Sequence, residues 1–434
     1  MKLKNLFGMA AMAALVLSGC SNDEVVNDYS PENAIEFGTY VGRGAQSRAS
    51  VKTTKELGTG FGVFAYYTAD KKFSDYIQAN KDAQPNFMYN EEVTAVESDW
   101  VDPTTENEAG YYSKWTYSPV KYWPNTADHK VSFFAYAPYD ESVDATAIGL
   151  PPVVKFSVPS NDVKNQQDIL YAEPQLDVTK KKIGEPVKFT FKHALSRIGF
   201  KVQTSVDVVN PDADGQPDAE QGDNGASNFK NDETIVVIRS VELTGKFHSA
   251  GTLTPTQKVT IANGKLEYGD MNVETYGDDE ISEEGVTYKL LAGKDGETHF
   301  ADPETKEWYS DEKEDTKYSA WGQNVTCTEA VLNAPDSYIM VIPNVTEKGK
   351  QYDNELTIKV VYDVVTKDAN LPTGVSIVEN TVTSDPFAFN FEQGKAYTFS
   401  LHLGLTSVQL SASVNGWDDA GEYSVNVPIN VAMN

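Results

Sequence analysis

Cysteine, histidine and positive charge are all scarce in this chain of 434 residues. Its 2 cysteines exclude a disulfide scaffold and a cysteine-rich metal site. Its 5 histidines include no pair at a metal-ligand spacing. The chain carries 36 Lys+Arg against 64 Asp+Glu, a formal net charge of -28. This balance argues against nucleic acid or an anionic lipid surface as a partner, because both need clustered Lys and Arg.

Catalytic motifs are also missing from the sequence. There is no G-x-S-x-G, no H-E-x-x-H and no glycine-rich phosphate loop. His193 is the histidine with the densest structural context, and without a nucleophile or acid partner in the sequence it is predicted to pack or to form a hydrogen bond. The sequence therefore predicts a protein that is not an enzyme, with no catalytic residue, no metal site and no cofactor.

Alternation of apolar and polar residues dominates what is present. Short alternating runs are separated by turns rich in Gly, Pro, Asn and Asp, which predicts strands rather than helices. Residues 61–67 and 356–364 alternate, and residues 131–137 are apolar on both faces, as in a central strand. Residues 234–243, 337–342 and 397–405 are further β-rich runs. Apolar residues make up 40% and aromatic residues 11%, so the chain can bury sizeable cores. The pattern predicts an all-β protein built from β-sandwiches.

Two acidic segments interrupt this pattern. Residues 205–233 hold eight acids and one Lys, and residues 267–316 hold 17 acids and four Lys. Both are predicted to be long acidic loops inserted in the β scaffold. The first contains Asp212, Asp214 and Gly215, but its spacing does not fit a calcium-binding loop, so a solvated loop is favoured.

The N-terminus predicts export. Lys2 and Lys4 precede a 12-residue apolar run, residues 6–17. This run is too short to span a bilayer, because a transmembrane helix needs about 20 residues. Residues 17–20 (LSGC) resemble a bacterial lipobox, which implies a signal peptide over residues 1–19 and a lipid on the Cys20 thiol. An ordinary signal peptide with a chance cysteine is the alternative. The acidic residues 21–24 resemble the surface-export signal of Bacteroidota lipoproteins.

Both ends of the mature region carry strand patterns. Near the N-terminus an apolar face consists of Ile35, Phe37, Thr39 and Val41, and residues 42–50 follow as an exposed linker with two arginines. At the C-terminus five apolar residues alternate strictly: Tyr423, Val425, Val427, Ile429 and Val431. This tail is either the last strand of its own domain or a strand donated to a neighbour.

The ordered motifs of the chain resemble the fimbrillin family, the type V pilus subunits of Bacteroidales. Each motif is short, but their order and spacing sample nearly the whole sequence. They are residues 17–20 (LSGC), 35–37 (IEF), 48–49 (RA), 115–119 (WTYSP), 122–124 (YWP), 131–138 (VSFFAYAP), 168–172 (DILYA), 191–198 (FKHALSRI) and Trp417.

The resemblance implies two transthyretin-like β-sandwich domains in a lipoprotein precursor. The expected organisation is a propeptide over 20–48, an N-terminal sandwich over 49–180 and a C-terminal sandwich over 181–434, ending in a donor tail over 422–434. An Arg-specific protease would cut between Arg48 and Ala49, with Arg43 as the other candidate.

The implied function is polymerisation. Removal of the first strand, residues 35–41, would open a groove that accepts the tail of another copy or of a related fimbrial subunit. The precursor would sit on the outer membrane through its lipid, and the product would be a cell-surface fimbrium that supports adhesion. The alternative is a monomeric surface lipoprotein that binds glycan or host protein.

Overall fold

The computed structural model covers most of the predicted β-rich runs. The described residues are 31–41, 56–80, 83–101, 111–143, 152–158, 163–204, 234–262, 265–278, 285–291, 323–325, 328–332, 338–344, 354–367, 370, 375–404, 408–416 and 425–427.

Strands make up most of the first half of the chain, together with a short α-helix and 3-10 turns. The elements up to residue 193 are β1 (Phe37–Val41), β2 (Phe61–Ala69), α1 (Phe73–Ala79), β3 (Met88–Ala95), β4 (Trp100–Val101), β5 (Tyr111–Tyr112), β6 (Trp115–Thr116), β7 (Lys130–Ala137), β8 (Val154–Ser157), β9 (Leu170–Ala172), β10 (Gln175–Val178) and β11 (Val187–His193). Eight of them form one sheet in the order β1-β11-β9-β7-β2-β3-β6, with β10 also beside β7.

The second half is a two-sheet sandwich. Its strands are β12 (Ser196–Thr204), β13 (Thr234–Gly245), β14 (Ala250–Ala262), β15 (Lys265–Gly277), β16 (Val286–Leu291), β17 (Gln323–Val325), β18 (Ala330–Val331), β19 (Tyr338–Val341), β20 (Asn354–Lys367), β21 (Val375–Thr383), β22 (Phe387–Phe389), β23 (Lys395–Leu403), β24 (Val408–Gly416) and β25 (Val425–Val427). Strands β14 and β15 form a separate three-stranded sheet with β8. One sheet of the sandwich has the order β18-β12-β23-β24-β25, and the other β16-β13-β20-β21. A single hydrophobic cluster fills the space between them.

The predicted strand runs are confirmed, and so is the all-β class. The residues of strand β7 are apolar on both faces because the strand lies inside the first sheet, where it is buried along nearly its whole length. One of its faces packs in a cluster with β1 and β11, and the other in a cluster with α1, β8 and β14. The first sheet therefore has a core on each side.

The acidic segment 267–316 is not one loop. Its start lies in β15, which ends at Gly277, and residues 286–291 form β16. The loop prediction is wrong there because it rested on the acidic composition of the segment. A strand can carry acidic residues on its solvent-facing side, at alternate positions. Met271, Val273 and Thr275 are buried in β15, while Glu274 between them is not. Residues 205–233 lie outside the described part of the chain.

The chain passes from the first sheet to the second between His193 and Ser196. The predicted division after residue 180 falls earlier, in a charged stretch that connects β10 to β11 within one sheet. A turn closes this connection, with the Glu185 amide donating to the Lys182 carbonyl at 2.9 Å and Gly184 at a φ of +73°. The stretch between β10 and β11 is therefore a connection within the first sheet.

His193 forms a buried contact at this passage. Its Nδ1 lies 2.7 Å from Asp168 Oδ2, and both side chains are at most 1% exposed. The predicted packing and hydrogen-bonding role of His193 is confirmed.

Substitution of Asp168 by alanine is expected to lower the free energy of unfolding by about 3 kcal/mol, because it removes a hydrogen-bonded partner inside the protein. Asp385→Ala, at an exposed position, is the matched control and should change it by no more than about 0.5 kcal/mol. Urea unfolding of both variants measures the difference. Equal effects would show that the contact adds nothing.

Candidate functional site

The first strand is held by backbone hydrogen bonds from two parts of the chain. Strand β1 pairs parallel with β11, from Phe37 opposite Val187 to Val41 opposite Phe191. Just before it, Ala34 bridges Tyr122 in the antiparallel sense. The Ile35 amide donates to the Lys121 carbonyl at 2.9 Å, and the Trp123 amide donates to the Asn33 carbonyl at 3.0 Å. The segment thus enters between two partners and continues along the edge of the sheet.

Side chains of this segment alternate between core and solvent as predicted. Ile35, Phe37 and Val41 are 1%, 4% and 1% exposed, and all three belong to one hydrophobic cluster. Thr39 is half-buried on the same face, whereas Tyr40 on the other face is 48% exposed. The period of two assigns each residue to its face.

Phe37 is the aromatic centre of this cluster. Its ring centroid lies 6.4 Å from that of Phe61, 5.3 Å from Tyr117, 6.0 Å from Phe133 and 5.4 Å from Phe189. Such aromatic pairs contribute about 0.5–1.5 kcal/mol each beyond the burial of their area. Without Phe37 these four rings would line an apolar channel, which we call the first-strand groove.

Tyr117 fixes the strand through its hydroxyl as well as its ring. The hydroxyl donates to the Ile35 carbonyl at 2.8 Å and accepts from the Lys121 amide at 3.3 Å. Burial raises the pKa of Tyr117 above its ordinary value of 10.0. The donor form therefore persists into alkaline solution, and its stabilising contribution is lost only as the pH rises above about 10.

Sequence reasoning missed the residues that line the groove. Trp123 is buried and Trp115 packs against the same cluster, so both tryptophans serve packing beside the groove. The available signal was the pair of aromatic motifs at 115–119 and 122–124. They served only as marks of resemblance because nothing in the sequence links them to residues 33–35.

The tail contacts its own half of the molecule in its described residues. Strand β25 pairs antiparallel with β24, from Val425 opposite Val414 to Val427 opposite Ala412. It occupies the edge of its sheet and forms only three residue pairs. Tyr423, Ile429 and Val431 lie outside the described residues.

Several other predicted sites fall outside the described residues as well. They are Cys20, Arg43, Arg48 and Ala49. Within the described ranges, no group of three His, Cys, Asp or Glu residues could hold a metal ion. No helix in this part of the chain is long and apolar enough to cross a membrane.

Tyr117→Phe is expected to lower the free energy of unfolding of the intact protein by about 1–2 kcal/mol, because the Ile35 carbonyl loses a buried donor while the ring stays in place. The variant should also lose less stability than the parent between pH 10 and 11. Tyr40→Phe, which removes an exposed hydroxyl from strand β1, should change neither the free energy of unfolding nor its dependence on pH. Identical pH profiles for Tyr117→Phe and the parent would contradict the assignment.

Known proteins resemble the chain along nearly its whole length. The family model described as fimbrillin-like matches residues 47–417. The fimbrium subunit Fim1C of Phocaeicola vulgatus is 24% identical over 456 residues, covering 98% of this chain and 100% of that protein. A solved fimbrial protein of Bacteroides vulgatus has the same fold, with a TM-score of 0.55 at 20% identity over 89% of this chain and 99% of that one. Because the family model spans most of the sequence, the chain belongs to the fimbrillin-like family.

Proposed function

We propose that the chain is a structural fimbrial subunit that is exported as a lipoprotein, cleaved after Arg48 and polymerised by donor-strand exchange, and that the fimbrium supports cell adhesion. The observation that carries this proposal is the first strand itself. It precedes an arginine-containing linker, yet its apolar face fills an aromatic groove in the main body of the protein. A cut in the linker would leave the strand held by noncovalent contacts alone.

An empty groove would be costly to the protein. Strand β11 pairs with β9 on one side and with β1 on the other, so loss of β1 exposes the backbone donors and acceptors of β11. It also exposes the ring of Phe189, which stacks on Phe37. Unpaired strand edges beside apolar surface readily accept another strand. A groove that has lost its first strand is therefore expected to bind another strand rather than to stay empty.

The tail is long enough to cover the groove of the strand it would replace. Residues 35–41 comprise seven residues and residues 423–431 comprise nine, which span roughly 23 Å and roughly 30 Å as extended chain. Both present apolar residues with a period of two. In its own subunit the described residues of the tail, 425–427, form three residue pairs at a sheet edge.

Cleavage explains why assembly would wait until export. While the linker is intact, the first strand competes for the groove at an effective concentration of order mM or more. The tail of another subunit cannot match that concentration until the linker is cut. Lipid on Cys20 would hold the precursor at the outer membrane, and an Arg-specific protease would release the body of the protein for assembly into a cell-surface fimbrium.

Arg48→Ala is expected to leave the precursor without a new N-terminus at Ala49. SDS-resistant ladders should decrease by roughly 100-fold or more, because the tethered strand keeps its effective concentration. N-terminal sequencing of the surface-extracted protein and gel analysis measure both effects. Arg43→Ala is the matched control and should assemble normally. The reverse result would assign the cut to Arg43, and a cut protein that stays monomeric would favour a monomeric surface lipoprotein.

Deletion of residues 422–434 is expected to abolish ladders while leaving a folded monomer, since the described part of this tail contributes three residue pairs at a sheet edge. A point variant refines the test: Val427→Asn should reduce ladder formation at least about tenfold by burying an amide in the groove. Asn426→Ser, on the alternate face, should assemble normally. Circular dichroism and urea unfolding check the fold. Unfolding of the deletion variant would show that the tail serves its own domain.

A further inference from the structure

We propose that Thr39 is the residue that makes the first strand replaceable: its buried hydroxyl weakens the hold of the groove on that strand and so favours the apolar tail. This inference rests on the proposed function, because it assumes that the groove exchanges one strand for another. It adds a residue that decides which of two competing strands the groove retains.

Thr39 occupies the inward face of β1 between two well-buried apolar residues. It lies opposite Phe189 in the parallel pairing with β11. Its Oγ1 is buried and has no hydrogen-bond partner among the described residues. A hydroxyl that leaves water without gaining a partner destabilises the folded state. A methyl group in the same volume carries no such penalty.

The tail carries no polar residue that could take this place. The inward face of the first strand has four positions, and Thr39 is the third of them, after Ile35 and Phe37. The tail offers five apolar residues with the same period. Sliding four of those five along the groove, in either chain direction, always puts Val or Ile at the third position. The three candidates are Val425, Val427 and Ile429. The hydroxyl is therefore lost on exchange whatever the register.

Phe37 acts in the opposite direction. In each of the same registers its place is taken by Val or Ile, which cannot reproduce four ring contacts. The first strand thus combines one strong anchor with one weak position. The anchor supports folding of the precursor, and the weak position limits how long the strand remains once the linker is cut. Substitutions at the two positions should consequently change strand release in opposite senses.

The experiment compares Thr39→Val, Phe37→Val and the parent chain, with Thr381→Val as the matched control at an exposed strand position. The unlipidated full chain is cut with an Arg-specific protease and mixed with a synthetic peptide of residues 422–434. Native mass spectrometry follows the release of the N-terminal fragment. Thr39→Val is expected to slow release roughly tenfold and Phe37→Val to accelerate it by at least roughly tenfold. Thr381→Val should leave the rate unchanged.

Urea unfolding of the uncut proteins separates this inference from the proposed function. Thr39→Val should raise the unfolding midpoint relative to the parent, and Thr39→Ser, which keeps the hydroxyl, should not. An unchanged midpoint for Thr39→Val, or release as fast as in the parent, would overturn the role of Thr39 and leave the proposed function standing. A raised midpoint in a protein whose cut strand never exchanges with the peptide would support the weak hold and contradict donor-strand exchange.

Discussion

The first half of this protein depends on a strand beside β11. Strand β11 is paired with β9 on its inner side, and only β1 covers its outer side in the described part of the chain. Strand β1 supplies two kinds of contact. It gives hydrogen-bond partners to the backbone groups of β11, and it buries the rings around Phe37 away from water. Under the proposed donor-strand exchange, a substitute strand of suitable length and alternation would meet the same requirement.

The contacts of the first strand divide between those that a substitute would inherit and those that it would lose. Backbone pairing with β11 belongs to any strand, because amide and carbonyl groups carry no sequence information. The ring contacts of Phe37 and the buried hydroxyl of Thr39 belong to this strand alone. The balance of these two side chains therefore decides how tightly the original strand is retained. Under the proposed donor-strand exchange, this balance would link folding of the precursor to assembly of the polymer.

The two halves of the molecule are packed together rather than merely joined. Strand β8, from the first half, pairs with β14 of the second, and a shared cluster contains Phe134 from β7 and Leu253 from β14. His193 and Asp168 meet at the passage between the sheets. The charged stretch near residue 180 connects two strands of the first sheet. Local composition identifies a turn, but only the pairing of the flanking strands tells whether the turn separates two sheets or serves one.

Alternation along the chain determined the strand content, the buried faces of strands such as β20, and the inward position of Ile35, Phe37 and Val41. These follow from the sequence because successive side chains of a strand point to opposite sides. Only the tertiary structure decided that β1 pairs with β11, that the Tyr117 hydroxyl reaches the Ile35 carbonyl, and that the Thr39 hydroxyl is buried without a partner. The period of a strand specifies its faces and not its neighbour, because the hydrogen bonds that join strands come from a backbone common to all residues.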